Sequence, residues 1–232
     1  MNLYFLVEGK RTEKKLYTSW FINYAGMTLV DSPEKANKNN FYIVSACGYP
    51  GILDNHLKNA VSDVETLGLF DYFVIVLDSE EQSEAERMEE VKTALKDVGI
   101  ELRHSKPYII VQHHCIETWL LGNRRIISRT PQSHLLRDYI RHYNVINNDP
   151  ELMPTHRNFS VAAPFHESYL REIFKERNLT YTKRNPGEAL SISYLNEIKN
   201  RHQDTAHLRS LEPLLQLLEM AQQSSRLLSK NI

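Results

Sequence analysis

The sequence is poor in cysteine, with Cys47 and Cys115 as its only two in 232 residues. They stand far apart and form no C-x-x-C pair, so neither a zinc site nor a dithiol redox motif has support. No apolar run reaches the ~18 residues of a membrane span. The first residues lack the charged start and apolar stretch of a secretory signal. The expected location is the cytoplasm, away from any membrane.

A surplus of positive charge is also missing. The chain has 28 Lys and Arg residues against 29 Asp and Glu residues, which gives a net charge of −1. Phosphate contacts supply most of the nonspecific affinity for nucleic acid, so any such binding has to come from a local basic patch or from a partner protein. Hydrophobic residues make up 41% of the chain, which is sufficient for a packed core.

Short apolar runs alternate with amphipathic stretches in the first half of the chain. The runs that resemble buried strands are Leu3–Val7, Phe41–Ser45, Tyr72–Leu77 and Tyr108–Val111. The stretches with helical spacing are Thr12–Tyr24, Ile52–Gly68, Ser83–Val98 and Ile116–Leu121. This alternation predicts an α/β fold in which a parallel sheet is flanked by helices.

Only helical patterns remain after about residue 122. They cover Leu135–Tyr143, Glu167–Arg177, Glu188–Arg201 and Leu208–Leu228. The sequence therefore predicts an α/β domain over residues 1–122 and a mostly helical C-terminal region over residues 123–232. The segment Asn123–Arg129 could belong to either part.

Acidic residues follow three of the predicted strands. Glu8 follows the first, Asp78 and Glu80 follow the third, and Glu117 lies just beyond the fourth. Ligands of open parallel sheets bind outside the carboxyl ends of the strands, and clustered carboxylates favour a neutralising cation. Mg²⁺ is such a cation because it prefers oxygen ligands and keeps several waters. A regular strand would also place Asp78 and Glu80 on the same side.

Two of these acidic segments resemble the signatures of the Toprim family. The stretch V-E-G-K-R-T-E, residues 7–13, resembles the first signature, in which a Glu follows an apolar strand. The stretch V-L-D-S-E, residues 76–80, resembles the second signature, usually D-x-D, with Glu80 in place of the last Asp.

Two further blocks resemble one branch of that family, the small Toprim proteins of the RloB and DUF4276 type, which are related to OLD-family nucleases. The stretch C-I-E-T-W-L-L-G, residues 115–122, is similar to their E-x-W-L-L block. Tyr181-Thr182-Lys183, followed by Pro186-Gly187, is similar to their Y-x-K block. The branch implies a cytoplasmic role in anti-phage defence, often beside an ABC-type ATPase.

The resemblance implies a nuclease that uses Mg²⁺ or Mn²⁺ to hydrolyse DNA or RNA, a tRNA included. Asp78 and Glu80 are the expected metal ligands, and Glu8 is expected to ligate the metal or to move a proton. Glu117 is a further catalytic candidate that could hold a second ion, and Lys183 could steady the phosphate.

Simpler interpretations remain open for several of these residues. Glu8 could stabilise a helix N-terminus, and Glu117 could bind backbone amides. Lys183 and Arg184 could belong to a solvated basic loop. The basic cluster Arg124, Arg125 and Arg129 could contact phosphate or could simply be surface charge. His113 and His114 are interpreted as residues at the rim of the sheet.

Two other functions compete with the nuclease. The Toprim-like part could be a non-catalytic interaction module that docks on a partner ATPase. A phosphatase of the haloacid-dehalogenase type would need an Asp nucleophile after the first strand, where this chain has Glu8-Gly9-Lys10, so that class is disfavoured. The oligomeric state stays open, with a homodimer among the candidates.

Overall fold

The computed structural model describes residues 1–229, which form two compact units. The first unit contains Met1–Leu77, Glu84–Val111 and the chain from Pro213 onward. The second contains Asp78–Ser83 and Gln112–Glu212. The units thus alternate along the chain, whereas the sequence suggests a single division near residue 122.

The first unit is built on a five-stranded parallel sheet, as the sequence predicts. The strands are β1 (Leu3–Val7), β2 (Thr28–Leu29), β3 (Asn40–Ser45), β4 (Tyr72–Asp78) and β5 (Lys106–Gln112), and their order in the sheet is β2-β3-β1-β4-β5. β1 lies at the centre and pairs in parallel with both β3 and β4. The sequence analysis missed β2, which is two residues long and exposed.

Eight α-helices are present in the described part of the chain. They are α1 (Thr12–Asn23), α2 (Leu57–Leu67), α3 (Glu84–Asp97), α4 (Ile116–Leu120), α5 (His134–His142), α6 (Ala162–Glu176), α7 (Ile192–Thr205) and α8 (Glu212–Ser229). A π-helical turn, Ile52–His56, leads directly into α2. In residues 1–229, none of the helices combines the length and the hydropathy of a membrane span.

Both faces of the sheet are covered, which explains why β1 is apolar without alternation. On one face, Tyr4 and Leu6 belong to a hydrophobic cluster with residues of α2 and α3. On the other face, the Phe5 ring lies 6.1 Å from that of Tyr17 and 4.9 Å from that of Phe21, both on α1. Every side chain of β1 is therefore buried.

The last helix returns to the sheet unit. The Ser225 hydroxyl of α8 donates a 2.6 Å hydrogen bond to the Ala25 carbonyl, and Gln222 Nε2 donates one of 2.8 Å to the Tyr24 carbonyl. These bonds satisfy carbonyl groups just after the C-terminus of α1, which otherwise lack an intrahelical partner. Four leucines of α8, Leu214, Leu215, Leu217 and Leu218, are buried.

The second unit is helical and encloses a buried arginine, Arg201. Its guanidinium donates to the carbonyl oxygens of Val145 at 2.8 Å and of Asn148 at 2.6 Å. A third bond of 3.3 Å reaches the carbonyl of Gly122. These bonds tie α7 to the segments that follow α4 and α5.

Candidate active site in the second unit

Asp78 is the last residue of β4, and the chain leaves the strand there. The next residue, Ser79, donates its N–H to the Gln112 carbonyl at 2.8 Å. Glu80 then adopts a left-handed conformation with φ of +53° and is exposed. The expectation that a regular strand holds Asp78 and Glu80 on one side is therefore wrong, because Glu80 belongs to a turn. Its role as a metal ligand stays a prediction.

Glu117 is the most deeply buried acid of the predicted set, with no exposed surface. It lies on α4, and its Oε1 accepts a 2.7 Å hydrogen bond from the Tyr181 hydroxyl. Burial, followed by the charge of Glu117, raises the pKa of Tyr181 well above its ordinary value, so the phenol remains a donor. Glu117 Oε2 is buried and has no hydrogen-bond partner in residues 1–229.

Lys183 is presented by a tight turn. Thr182 and Asn185 exchange two backbone hydrogen bonds of 3.0 and 2.9 Å around it. Its Nζ lies 3.6 Å from Glu167 Oε2 on α6, and 55% of the side chain is exposed. Partial burial alone would lower the pKa of Lys183, but the charges of Glu117 and Glu167 outweigh it and raise that pKa above its ordinary value.

The charges of Asp78 and Glu117 shift the pKa values of the same two side chains, Lys183 and Cys115. Both charges help to raise the pKa of Lys183. Both also add to the effect of burial, which raises the pKa of the Cys115 thiol well above its ordinary value. The structure thus brings three predicted residues, Asp78, Glu117 and Lys183, into one group. With Glu167 and Tyr181, these residues are called the carboxylate–lysine cluster below.

The cluster suits a cation with few protein ligands. Within residues 1–229, no group of three or more His, Cys, Asp or Glu side chains is arranged to hold a metal ion. Mg²⁺, however, is commonly held by one or two carboxylates, with waters and substrate phosphate completing its shell. Asp78 and Glu117 are the carboxylates whose charges affect both Lys183 and Cys115, and the buried Oε2 of Glu117 lacks the hydrogen bond that a buried carboxylate oxygen usually has.

Glu8 belongs to the first unit. Its N–H donates to the Val76 carbonyl at 2.9 Å, and its own carbonyl accepts from the Gly48 N–H at 3.0 Å. These backbone bonds hold it directly after β1, as predicted. The carboxylate of Glu13 lies against Gly9, where an added Cβ would displace it. The catalytic or metal-binding role of Glu8 stays a prediction.

A buried histidine, His166, was missed by the sequence analysis. Its Nδ1 lies 2.8 Å from Thr118 Oγ1 on α4, and its ring centroid is 5.3 Å from that of His114. Burial, with the nearby His114 and His113, lowers the pKa of His166 to about 3. The imidazole is therefore neutral at physiological pH. A lone histidine just before the predicted helix Glu167–Arg177 gives no signal by which the sequence could have revealed it.

Compared with models of protein families, with curated proteins and with solved structures, the chain gives no match in any of the three.

Proposed function

We propose that this chain is a Mg²⁺-dependent nuclease that hydrolyses phosphodiester bonds at the carboxylate–lysine cluster. The observation that carries the proposal is Glu117, fully buried and with one carboxylate oxygen left without a hydrogen bond. A buried carboxylate is costly unless it is paired or binds a metal. Asp78 would supply a second metal ligand. Lys183, whose pKa is raised by the charges of Glu117 and Asp78, would supply a cation that binds phosphate.

Asp78 and Glu117 are the residues that would hold Mg²⁺. When bound, the ion would supply an activated water and would stabilise the leaving oxygen. Tyr181 fixes the orientation of Glu117 through the bond to Oε1, so that Oε2 keeps one direction. Lys183 attracts the phosphate and can stabilise charge that develops on it. Glu167 positions Lys183 through their 3.6 Å contact.

The order of the four Toprim-like sequence blocks supports the same chemistry. The role of Glu8 as a metal ligand or proton carrier, and that of Glu80 as a metal ligand, rest on the same resemblance. Mn²⁺ is expected to replace Mg²⁺, since both accept carboxylate and water ligands. The role in anti-phage defence, the ABC-type ATPase partner and a tRNA substrate rest on the sequence resemblance alone.

The proposal is tested by incubating the purified chain with plasmid DNA and total cellular RNA in Mg²⁺, Mn²⁺ or EDTA. The metal-site variants are Asp78→Asn and Glu117→Gln, and the phosphate-site variant is Lys183→Ala. We expect metal-dependent cleavage by wild type and a loss of about 100-fold or more in the variants, the size seen when a transition-state contact is removed.

Two control variants show whether an effect is specific to the cluster. Glu172→Gln neutralises another carboxylate of the second unit, one that accepts from the Ser133 hydroxyl at 2.9 Å. Lys175→Ala removes a different exposed lysine, which lies on α6. Both should cleave like wild type. Cleavage that persists in Glu117→Gln would contradict the site, and no cleavage by wild type would favour the non-catalytic docking module.

A further inference from the structure

Four arginines of the second unit line one open pocket of about 600 Å³. The pocket, called the arginine pocket below, is lined among others by Arg124, Arg125, Ile127, Arg129, Ile146 and Arg177. A second hollow of about 320 Å³ shares Arg129 and Ile146 with it, so the concavity is elongated. Three of the arginines form the basic cluster noted in the sequence, and Arg177 joins them from the C-terminus of α6.

The pocket carries more positive charge than its neighbours offset. Arg124 pairs with Asp204 at 3.4 Å, and Arg125 pairs with Glu197 at 2.9 Å. Arg177 instead donates to backbone carbonyls, with Nε 2.8 Å from the oxygen of Ile126. These bonds hold its guanidinium in place, and its charge helps to lower the pKa of the neighbouring Glu176.

Arg129 is exposed and forms no ion pair in the part of the chain that the structure describes. The pair of Arg124 with Asp204 is long and exposed, so it is weak enough for a phosphate to take the place of Asp204. The side chains of Arg124 and Arg129 are therefore available to an anion. The exposed position of Arg129 also means that the fold does not depend on its side chain.

A fifth arginine lies behind the pocket wall. The buried Arg201 donates to the carbonyls of Val145 and Asn148, which flank the wall residues Ile146 and Asn147. Burial, followed by the charge of Arg124, lowers the pKa of Arg201 to about 10, so it is still charged at neutral pH. Its hydrogen bonds go to carbonyl oxygens and to His207. The wall therefore has a buried positive charge beneath it.

We propose that the arginine pocket binds the phosphate backbone of the nucleic-acid strand that the carboxylate–lysine cluster cleaves. Guanidinium groups bind phosphate through two parallel N–H donors, and Ile127 and Ile146 offer apolar surface to a sugar or base. An elongated, open concavity suits a strand better than a free mononucleotide. The chain has a net charge of −1, so strand affinity requires a local positive site of this kind.

The length of α6 is consistent with one strand that contacts both the carboxylate–lysine cluster and the arginine pocket. Glu167, which contacts Lys183, and Arg177, which lines the pocket, are about ten residues apart on this helix, or about 15 Å at 1.5 Å per residue. That distance corresponds to about four nucleotides at the 3.4 Å rise of one strand of duplex DNA. This inference rests on the proposed nuclease function, because it places the bound strand at the cluster.

The test measures strand binding in EDTA, where no metal-dependent cleavage occurs. Fluorescein-labelled DNA and RNA oligonucleotides of about 20 nucleotides are titrated at several salt concentrations and followed by fluorescence anisotropy. The test variant is Arg124→Gln/Arg129→Gln, and Arg124→Lys/Arg129→Lys keeps the charge. The control Arg141→Gln/Arg157→Gln removes two exposed arginines of the same unit that both lie near Asp138.

Each phosphate contact contributes about 0.7 to the slope of log K against log salt for single strands. The Gln pair should therefore lower the slope by about 1.4 and weaken binding about 20-fold near ~0.1 M salt. The Lys pair should keep most of the affinity, and the control should bind like wild type. Equal binding by the Gln pair and wild type, or an absence of strand binding by wild type, would overturn the inference.

Competition experiments distinguish a nucleic-acid strand from inorganic phosphate and from a free nucleotide as the ligand of the pocket. Inorganic phosphate and AMP are added to the wild-type complex with the labelled strand. The inference expects neither to displace the strand at micromolar concentration. Displacement by AMP that disappears in the Gln pair would instead assign the pocket to a free nucleotide. Strand binding through the pocket without any cleavage in Mg²⁺ would refute the nuclease and leave the pocket as a strand-binding site.

Discussion

The Tyr181 hydroxyl and the Glu117 carboxylate form a buried 2.7 Å hydrogen bond between residues 64 positions apart in the chain. The bond joins two of the sequence blocks that resemble the Toprim branch, the one after β5 and the one before α7. A buried bond to a charged acceptor is stronger than one between neutral groups. It is therefore expected to stabilise the second unit and to fix the direction of the Glu117 carboxylate.

Removing the Tyr181 hydroxyl should destabilise the protein measurably. In Tyr181→Phe the buried carboxylate loses its donor, and we expect a loss of about 2 kcal/mol in the free energy of unfolding, measured with urea. The control is Tyr169→Phe, because this buried tyrosine donates to the neutral carbonyl of Tyr143 at 3.0 Å. It should cost about 1 kcal/mol. A Tyr181→Phe cost no greater than that of Tyr169→Phe would show that the bond to Glu117 adds nothing.

Gly187 is expected to be intolerant of a side chain. Its φ is +58°, and an added Cβ would lie 2.5 Å from the Thr180 carbonyl oxygen. Gly187→Ala should therefore distort the turn that presents Lys183 and lower both stability and cleavage. Gly99→Ala is the matched control, since Gly99 has φ of +70° and no atom near the added Cβ. Gly99→Ala should lower the free energy of unfolding only by the conformational penalty of about 1–2 kcal/mol. An equal loss in both variants would contradict a steric clash at Gly187.

Stability should fall in mild acid because of His166. The pKa of His166 is about 3 in the folded chain and about 6.5 when unfolded. Between these values the unfolded state binds a proton that the folded state does not, so the free energy of unfolding decreases as pH falls. The loss should be about 2 kcal/mol at pH 5. Urea unfolding at pH 5 and 7.5 should show a smaller difference in His166→Gln than in wild type. The exposed His134, replaced by Gln, should leave the difference unchanged.

The charge of Glu117 should be measurable at Lys183. Because Glu117 helps to raise the pKa of that ammonium group, Glu117→Gln should lower it. NMR titration of the lysine side-chain signals would follow the change. Glu172→Gln, which neutralises the partner of Lys175, should leave Lys183 unaffected. An unchanged Lys183 titration in Glu117→Gln would contradict the electrostatic description of the cluster.

Local patterns were sufficient to predict most of the sheet. Strands such as β1 and β4 are continuous apolar runs, because each is buried on both faces, and their bounds agree with the prediction within a residue. The two exposed residues of β2 have no such pattern. Glu8, Asp78 and Glu117 could be found as acids after strand-like runs, since position along a parallel strand determines which edge they reach.

The features that escaped prediction depend on contacts between distant residues. The start of α6 at Ala162, five residues before the predicted start at Glu167, coincides with a 2.9 Å bond from the Ala162 N–H to the Glu81 carboxylate. Nothing in the sequence near Glu81 indicates this long-range contact. Arg177 joins the arginine pocket from a segment about fifty residues beyond the basic cluster.

The alternation of the two units has a consequence for synthesis on the ribosome. Domains tend to fold from the N-terminus as the chain emerges, yet the earlier-encoded unit is here completed last. The bond from Ser225 to Ala25 joins residues 200 positions apart, so this contact can form only after α8 has emerged. The helical unit ends at Glu212 and can be assembled first. The last contacts of the sheet unit therefore form only after the whole helical unit has been synthesised.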